Sequence, residues 1–337
     1  MKRFGLVHFR PYLLGAAAGA LGMVLLPLSG LIESSAEPGR WAIGEWFTYI
    51  SARQSVTLRS LGTEVPDNLS DPARLRRAAG HYELVCAACH GSPIRPPEQF
   101  ARDLVPAPPR LTERMAQWRP DARIFHTVKH GIRGSAMPAW PTQMRDDEVW
   151  DMVAFLKVLP DMAEPDYAAL VTPEGDCAMC HGEKGEGLGD GLPRLDIQSP
   201  AYLEAALKAF RDGTRQSGTM MAVAHTLADA DIETLARRYG LSLPHTTNAA
   251  AEGAIIARSG ISERDIPACD SCHGSGARAD YPRLAGQDAA YLLTQLTLFM
   301  DYGAARGGPH APIMAEAVKH LSPEEAETLA VSYSTAE

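Results

Sequence analysis

Three stretches of the chain alternate apolar and polar residues with the period of a helix. Val149, Met152, Val153 and Leu156 fall at i, i+3, i+4 and i+7, as do Ile232, Leu235, Ala236 and Tyr239, and Ala326, Leu329, Ala330 and Tyr333. That is the stripe of an amphipathic helix with one buried face. Acidic residues gather at the start of each stretch, where the helix dipole favours them. Ser322-Pro323-Glu324-Glu325 reads as a capping box with proline at the first helical position.

The three stretches recur at about 90-residue intervals, and such periodicity marks repeated units. Other features keep step with them. Pro-Arg-Leu occurs at 109–111, 193–195 and 282–284. Then come Met137, Met220 and Met314, each followed seven residues on by a bulky apolar side chain, Met144, Leu227 or Leu321. Prolines end the helical patterns near Pro160-Asp161 and Leu243-Pro244, which sets boundaries there. The pattern predicts an all-α chain with three tandem helical units over 71–162, 163–244 and 245–337.

A different pattern opens the chain. Leu13 to Ile32 are 20 residues without a charge, about 30 Å of helix and enough for a bilayer's hydrocarbon core. Lys2, Arg3 and Arg10 precede them, so the flank belongs on the cytoplasmic side and the rest of the chain on the outer, periplasmic one. Residues 1–36 thus read as a single membrane anchor. A cleaved export signal, with Ser34-Ser35-Ala36 as its cleavage site, is the alternative and would leave a soluble periplasmic protein. In the linker 37–70, Trp41, Trp46, Phe47 and Tyr49 suit either the membrane interface or an amphipathic helix packed on the first unit.

Composition narrows the function. Among 337 residues 22% are charged and 45% hydrophobic, as expected of a globular chain. A net charge of −9 and a pI near 5.7 speak against a nucleic-acid partner. All six cysteines lie in three copies of Cys-x-x-Cys-His: Cys86, Cys89 and His90; Cys177, Cys180 and His181; Cys269, Cys272 and His273. No cysteine remains for a disulfide framework. The motif is the attachment sequence of c-type haem. Two thiols one turn apart form thioethers with the haem vinyls, and the adjacent imidazole reaches the iron. Structural zinc takes four ligands, usually as two close pairs, and redox dithiols do not require the histidine.

With these residues in place, each unit resembles a class I cytochrome c domain. The last two resemble the two-domain, two-haem cytochromes of the c-four kind, through "PRL", the shared Tyr-Leu-Phe-Gly-Arg order after Tyr202 and Tyr291, and the methionine spacing. The first, with "GHYELVCAACHG" and "GIRGSAMPAWP", resembles the single-haem modules of membrane oxidase and dehydrogenase complexes. The resemblance implies three covalent haem c groups, their irons held by His90 and Met137, His181 and Met220, and His273 and Met314. It implies that Pro109, Pro193 and Pro282 offer their carbonyls to the motif histidines. Met221 adjoins Met220 and is the rival ligand. His81, His126, His130, His225, His310 and His320 do not recur between units and read as core or solvated side chains. The second unit has only "DYAALVTPEGD" before its motif, so its first helix is shortened and that haem edge is expected to be more open.

These expectations describe an electron carrier without catalytic side chains, because the cofactor performs the redox chemistry. Its partners would be a membrane oxidase or dehydrogenase complex and soluble electron carriers. Delivery to a terminal oxidase or soluble cytochrome is the leading reading, and acceptance from an alcohol or aldehyde dehydrogenase the alternative. A haem peroxidase needs an iron with an open position, and a sensor needs an output domain.

Overall fold

The computed structural model describes residues 10–32, 42–113, 120–172, 177–241 and 253–336. Lys2, Arg3, the Ser34–Ala36 site, Trp41 and the Leu243–Pro244 boundary lie outside them. The described residues contain helices and isolated bridges but no strand. The all-α expectation holds for them.

The first helix, α1 (Arg10–Leu28), is exposed from Pro11 to Leu28. Its apolar window is Pro11–Leu28, about 27 Å long at the helical rise. It stops four residues short of the predicted Ile32, because Pro27 sits in its last turn and Gly30 takes a positive φ. The following α2 (Ala42–Arg59) rests against the later helix Asp121–His130 and buries Val56 while Trp46, Phe47 and Tyr49 remain exposed.

Around the first motif come α3 (Pro72–His81), α4 (Ala87–His90), α5 (Gln99–Arg102), α6 (Asp121–His130) and α7 (Asp146–Val158). Asp71 caps α3 by accepting from the Ala73 amide at 3.0 Å, with Pro72 in the first turn, as N-caps require. Helices α3 and α7 pack together. Val149, Met152, Val153 and Leu156 on α7 are all buried. Asp151, also on α7, accepts from Arg74 at 2.7 Å and from Arg77 at 2.6 and 2.9 Å.

The second motif is flanked by α8 (Glu164–Leu170), α9 (Ala178–His181), α10 (Pro200–Arg211), α11 (Gly218–Ala224) and α12 (Asp229–Tyr239). The third is flanked by α13 (Ala254–Ser259), α14 (Asp270–His273), α15 (Ala289–Tyr302), α16 (Ala311–Val318) and α17 (Pro323–Ser334). Helix α10 packs on α12, and α15 on α17, so the terminal stripes are buried as the periodicity requires. Leu235, only half-buried, is the partial exception. The capping box at Ser322 is present, its hydroxyl meeting the Glu325 amide and its amide the Glu325 carboxylate.

An additional feature joins the first and second regions. Helix α8 packs into the first core, where Tyr167 is fully buried and donates to Glu83 at 2.5 Å. Met179, inside the second motif, belongs to the same core.

Candidate functional site

In every motif the second cysteine and the histidine share a four-residue helix, α4, α9 or α14. One helical turn therefore separates the two cysteines and presents both sulfurs to one edge of a ligand. Burial pushes the Cys86 thiol up to about 12 and the Cys180 and Cys269 thiols up to about 11.

The histidines are oriented identically. Nδ1 of His90 lies 2.8 Å from the Pro109 carbonyl oxygen, that of His181 2.9 Å from Pro193, and that of His273 2.8 Å from Pro282. The contact commits Nδ1 as donor and leaves Nε2 for a metal, the usual arrangement behind a metal-bound imidazole. Burial lowers the basicity of all three rings, and the proline carbonyls offset part of that. Burial thus favours the neutral ring, the form a metal binds.

A cavity of about 740 Å³ brings the second and third motifs together. Cys177, Cys180, His181 and Met220 line it from one side and Cys269, Cys272, His273 and Met314 from the other. Met221 is absent from this lining, and its terminal methyl lies toward Gly213. Met137 follows α6 in a loop, half-buried, while Met314 sits on α16 against the third core.

Four lining residues carry chemistry that the motif did not announce. Arg215 donates to the hydroxyls of Tyr202 at 3.1 Å and Tyr291 at 3.0 Å. Arg306 donates to Gln295 and to the Gly307 carbonyl, while its Nε has no partner. Each guanidinium stacks on a phenylalanine, Arg215 on Phe210 at 4.5 Å and Arg306 on Phe299 at 4.6 Å. Both are buried, and neither has a carboxylate partner among the described residues. Desolvation and the neighbouring Arg215 pull Arg306 down to about 9. Two buried cations without a counter-charge call for an anionic ligand, and the carboxylates of haem propionates supply one. Thiols, fixed imidazoles, cavity and guanidiniums together fit haem c.

The second and third motif regions face each other reciprocally. Gln198 accepts from the Arg283 amide and donates to its carbonyl, at 2.9 and 2.8 Å. Gln287 does the same for Arg194, at 2.8 and 2.9 Å.

Of the other histidines, His81 is buried and packs against Trp140 with centroids 4.5 Å apart and the rings tilted by 40°. His126 and His130 lie against each other with tilted rings, His225 meets the Ala222 carbonyl, and His320 is exposed. His310 bonds Asp280 at 2.9 Å and lines the cavity.

The expectation of an open edge at the second site is overturned. The short α8 is packed in the first core, and α3 from the first region lies directly on the second motif. A Cβ added to Gly80 would fall 2.5 Å from the Cys180 sulfur, closer than such atoms approach. The sequence offered no sign of this, because the cover comes from a helix about 100 residues away.

A helical chain that fixes imidazoles beside paired thiols in this way is a c-type cytochrome, a haem-bearing electron carrier. Residues 73–156 match the family model of the cbb3-type cytochrome c oxidase subunit III, and residues 168–241 that of cytochrome c. The thiosulfate dehydrogenase electron acceptor of Thiomonas intermedia is 37% identical over 168 residues, covering 47% of this chain and 77% of that protein. Cytochrome c4 of Thiocapsa roseopersicina is 32% identical over 176 residues, covering 49% and 89%. The solved cytochrome c4 of Acidithiobacillus ferrooxidans is 33% identical, covering 48% of this chain and 99% of that one, with a TM-score of 0.41. The chain belongs to the cytochrome c family and is related to the c4-type diheme cytochromes.

Proposed function

We propose that the chain is a membrane-tethered triheme cytochrome, with class I domains over 71–162, 163–244 and 245–337 and its haem domains in the periplasm. Cys86 and Cys89, Cys177 and Cys180, and Cys269 and Cys272 hold the three haems. His90 and Met137, His181 and Met220, and His273 and Met314 are the axial pairs. The observation that carries the count is the histidine-to-proline contact, repeated at all three motifs within 0.1 Å. When bound, haem c supplies one-electron chemistry at an iron whose potential methionine ligation raises. The protein's part is to fix the imidazoles, exclude water and neutralise buried carboxylates with Arg215 and Arg306.

Two relatives are named as electron acceptors of thiosulfate dehydrogenase, which favours a dehydrogenase as donor. The chain would then pass electrons to a membrane oxidase or soluble cytochrome, with α1 as its anchor. Intact mass should show three haems, and removing both cysteines of one motif should lose one. Two haems in the wild type would overturn the count. Reduction by thiosulfate in the presence of a thiosulfate dehydrogenase tests the donor, and failure of the mixture to reduce the cytochrome would remove it.

A further inference from the structure

We propose that helix α3 of the first region is part of the second haem site, closing its thioether edge, with Gly80 as a positioning residue for that haem. The inference rests on the reading that the second motif carries haem.

Helix α3 has two working faces. Ala78 and Tyr82, just beyond its end, are buried in the first core, while Arg74 and Arg77 tie it to α7 through Asp151. The helix also meets the second region. Arg76 bonds the Asp190 carboxylate at 3.2 Å, and Arg77 donates to the Asp190 carbonyl at 2.8 Å. Between these anchors and the helix end, Gly80 lies against Cys180 and Met179. Arg77, Ala78 and His81 border the same cavity as Cys180, His181 and Met220.

Local sequence explains why a borrowed helix is needed. The first and third terminal helices each pack against a helix preceding their own motif, α3 on α7 and α13 on α17. The corresponding stretch before the second motif, α8, is committed to the first core instead. Cys180 and Met179 would otherwise expose apolar surface. Glycine at 80 lets the α3 backbone approach the sulfur that carries the thioether, and any side chain there must displace that sulfur or α3 itself.

Water admitted at this edge favours the more charged oxidised haem, so the potential of the second haem should fall. Gly80→Ala and Gly80→Leu in the full chain test this by spectroelectrochemical titration. The second haem's wave is identified by its loss in a Cys177→Ala/Cys180→Ala chain. The expected result is three haems by mass and a graded downward shift of the second wave, larger for leucine, with the first wave unmoved. Should Gly80→Leu lose a haem, peptide mapping should place the loss at 177–181. Unmoved waves, a shift of the first haem alone, or loss at 86–90 would overturn the inference. Should Gly80→Leu fail to accumulate, the alanine variant decides by the same criteria. A wild-type 177–181 peptide without haem would instead refute the reading beneath it.

Discussion

Replacing His81 with phenylalanine isolates the cost of keeping an imidazole dry. The ring packs tilted against Trp140, its Nδ1 has no partner, and burial pulls it down to about 4 from an ordinary value of 6.5. Above the ordinary value both folded and unfolded chains hold the ring neutral, and nothing is lost. As the pH falls below 6.5 the unfolded chain takes up a proton that the folded one refuses, so stability drops until the folded ring also titrates near 4. The full span corresponds to about 3 kcal/mol, of which about 2 kcal/mol falls between pH 7 and pH 5.

His81→Phe keeps an aromatic ring against Trp140 and removes the titration. At pH 7 it should be neutral or mildly stabilising, because an unsatisfied buried nitrogen disappears. Urea unfolding followed by circular dichroism, run on both proteins at pH 7 and pH 5, should show the variant gaining about 2 kcal/mol on the wild type at the lower pH. The other histidines and carboxylates are common to both proteins and cancel in the difference. Parallel stability curves would mean that water reaches the ring, and the reasoning would fail.

Glu148 accepts from Ser217 and Gly218 at 2.6 Å and pairs with Arg145 at 2.8 Å, all in the joint between the first and second regions. Glu148→Ala should therefore cost about 3 kcal/mol of unfolding free energy, as the loss of one partner of a buried pair does; a change under about 1 kcal/mol would show the joint to be wet. Met220→His should lower one haem potential and leave two in place, whereas the same outcome from Met221→His alone would move the ligand by one residue. Residues 71–162 carry 13 basic and 11 acidic side chains, 163–244 carry 7 and 13, and 245–337 carry 6 and 12. A basic soluble cytochrome should accordingly exchange electrons faster at low salt than an acidic one, and equal rates in stopped flow would dismiss steering.

Much of the architecture was legible because it is local. The i, i+4 stripes identified the terminal helices, and Ser322 with Glu325 fixed the start of the last one. The motif prolines were legible through their repetition. Helix length was not: the uncharged run continued to Ile32, but Pro27 and Gly30 ended α1 earlier. Backbone punctuation outweighed hydrophobicity there.

Contacts between the repeated regions divide by symmetry. Across the second and third, equivalent residues meet: Arg194 and Gln198 face Arg283 and Gln287, and Arg215 reaches both Tyr202 and Tyr291. When two similar units pack reciprocally, each contact residue appears twice at matching offsets, so the repeated Tyr-to-Arg order was already a trace of the shared cavity. The joint between the first and second is of the other kind. Gly80 meets Cys180, Arg76 meets Asp190, and Glu148 meets Ser217, residues with unlike positions in their units. Such a contact leaves no periodic mark, and Gly80 in sequence is one small residue in a helix. Its role follows only once α8 is found packed in the first core, leaving the second motif to be covered from outside its own unit.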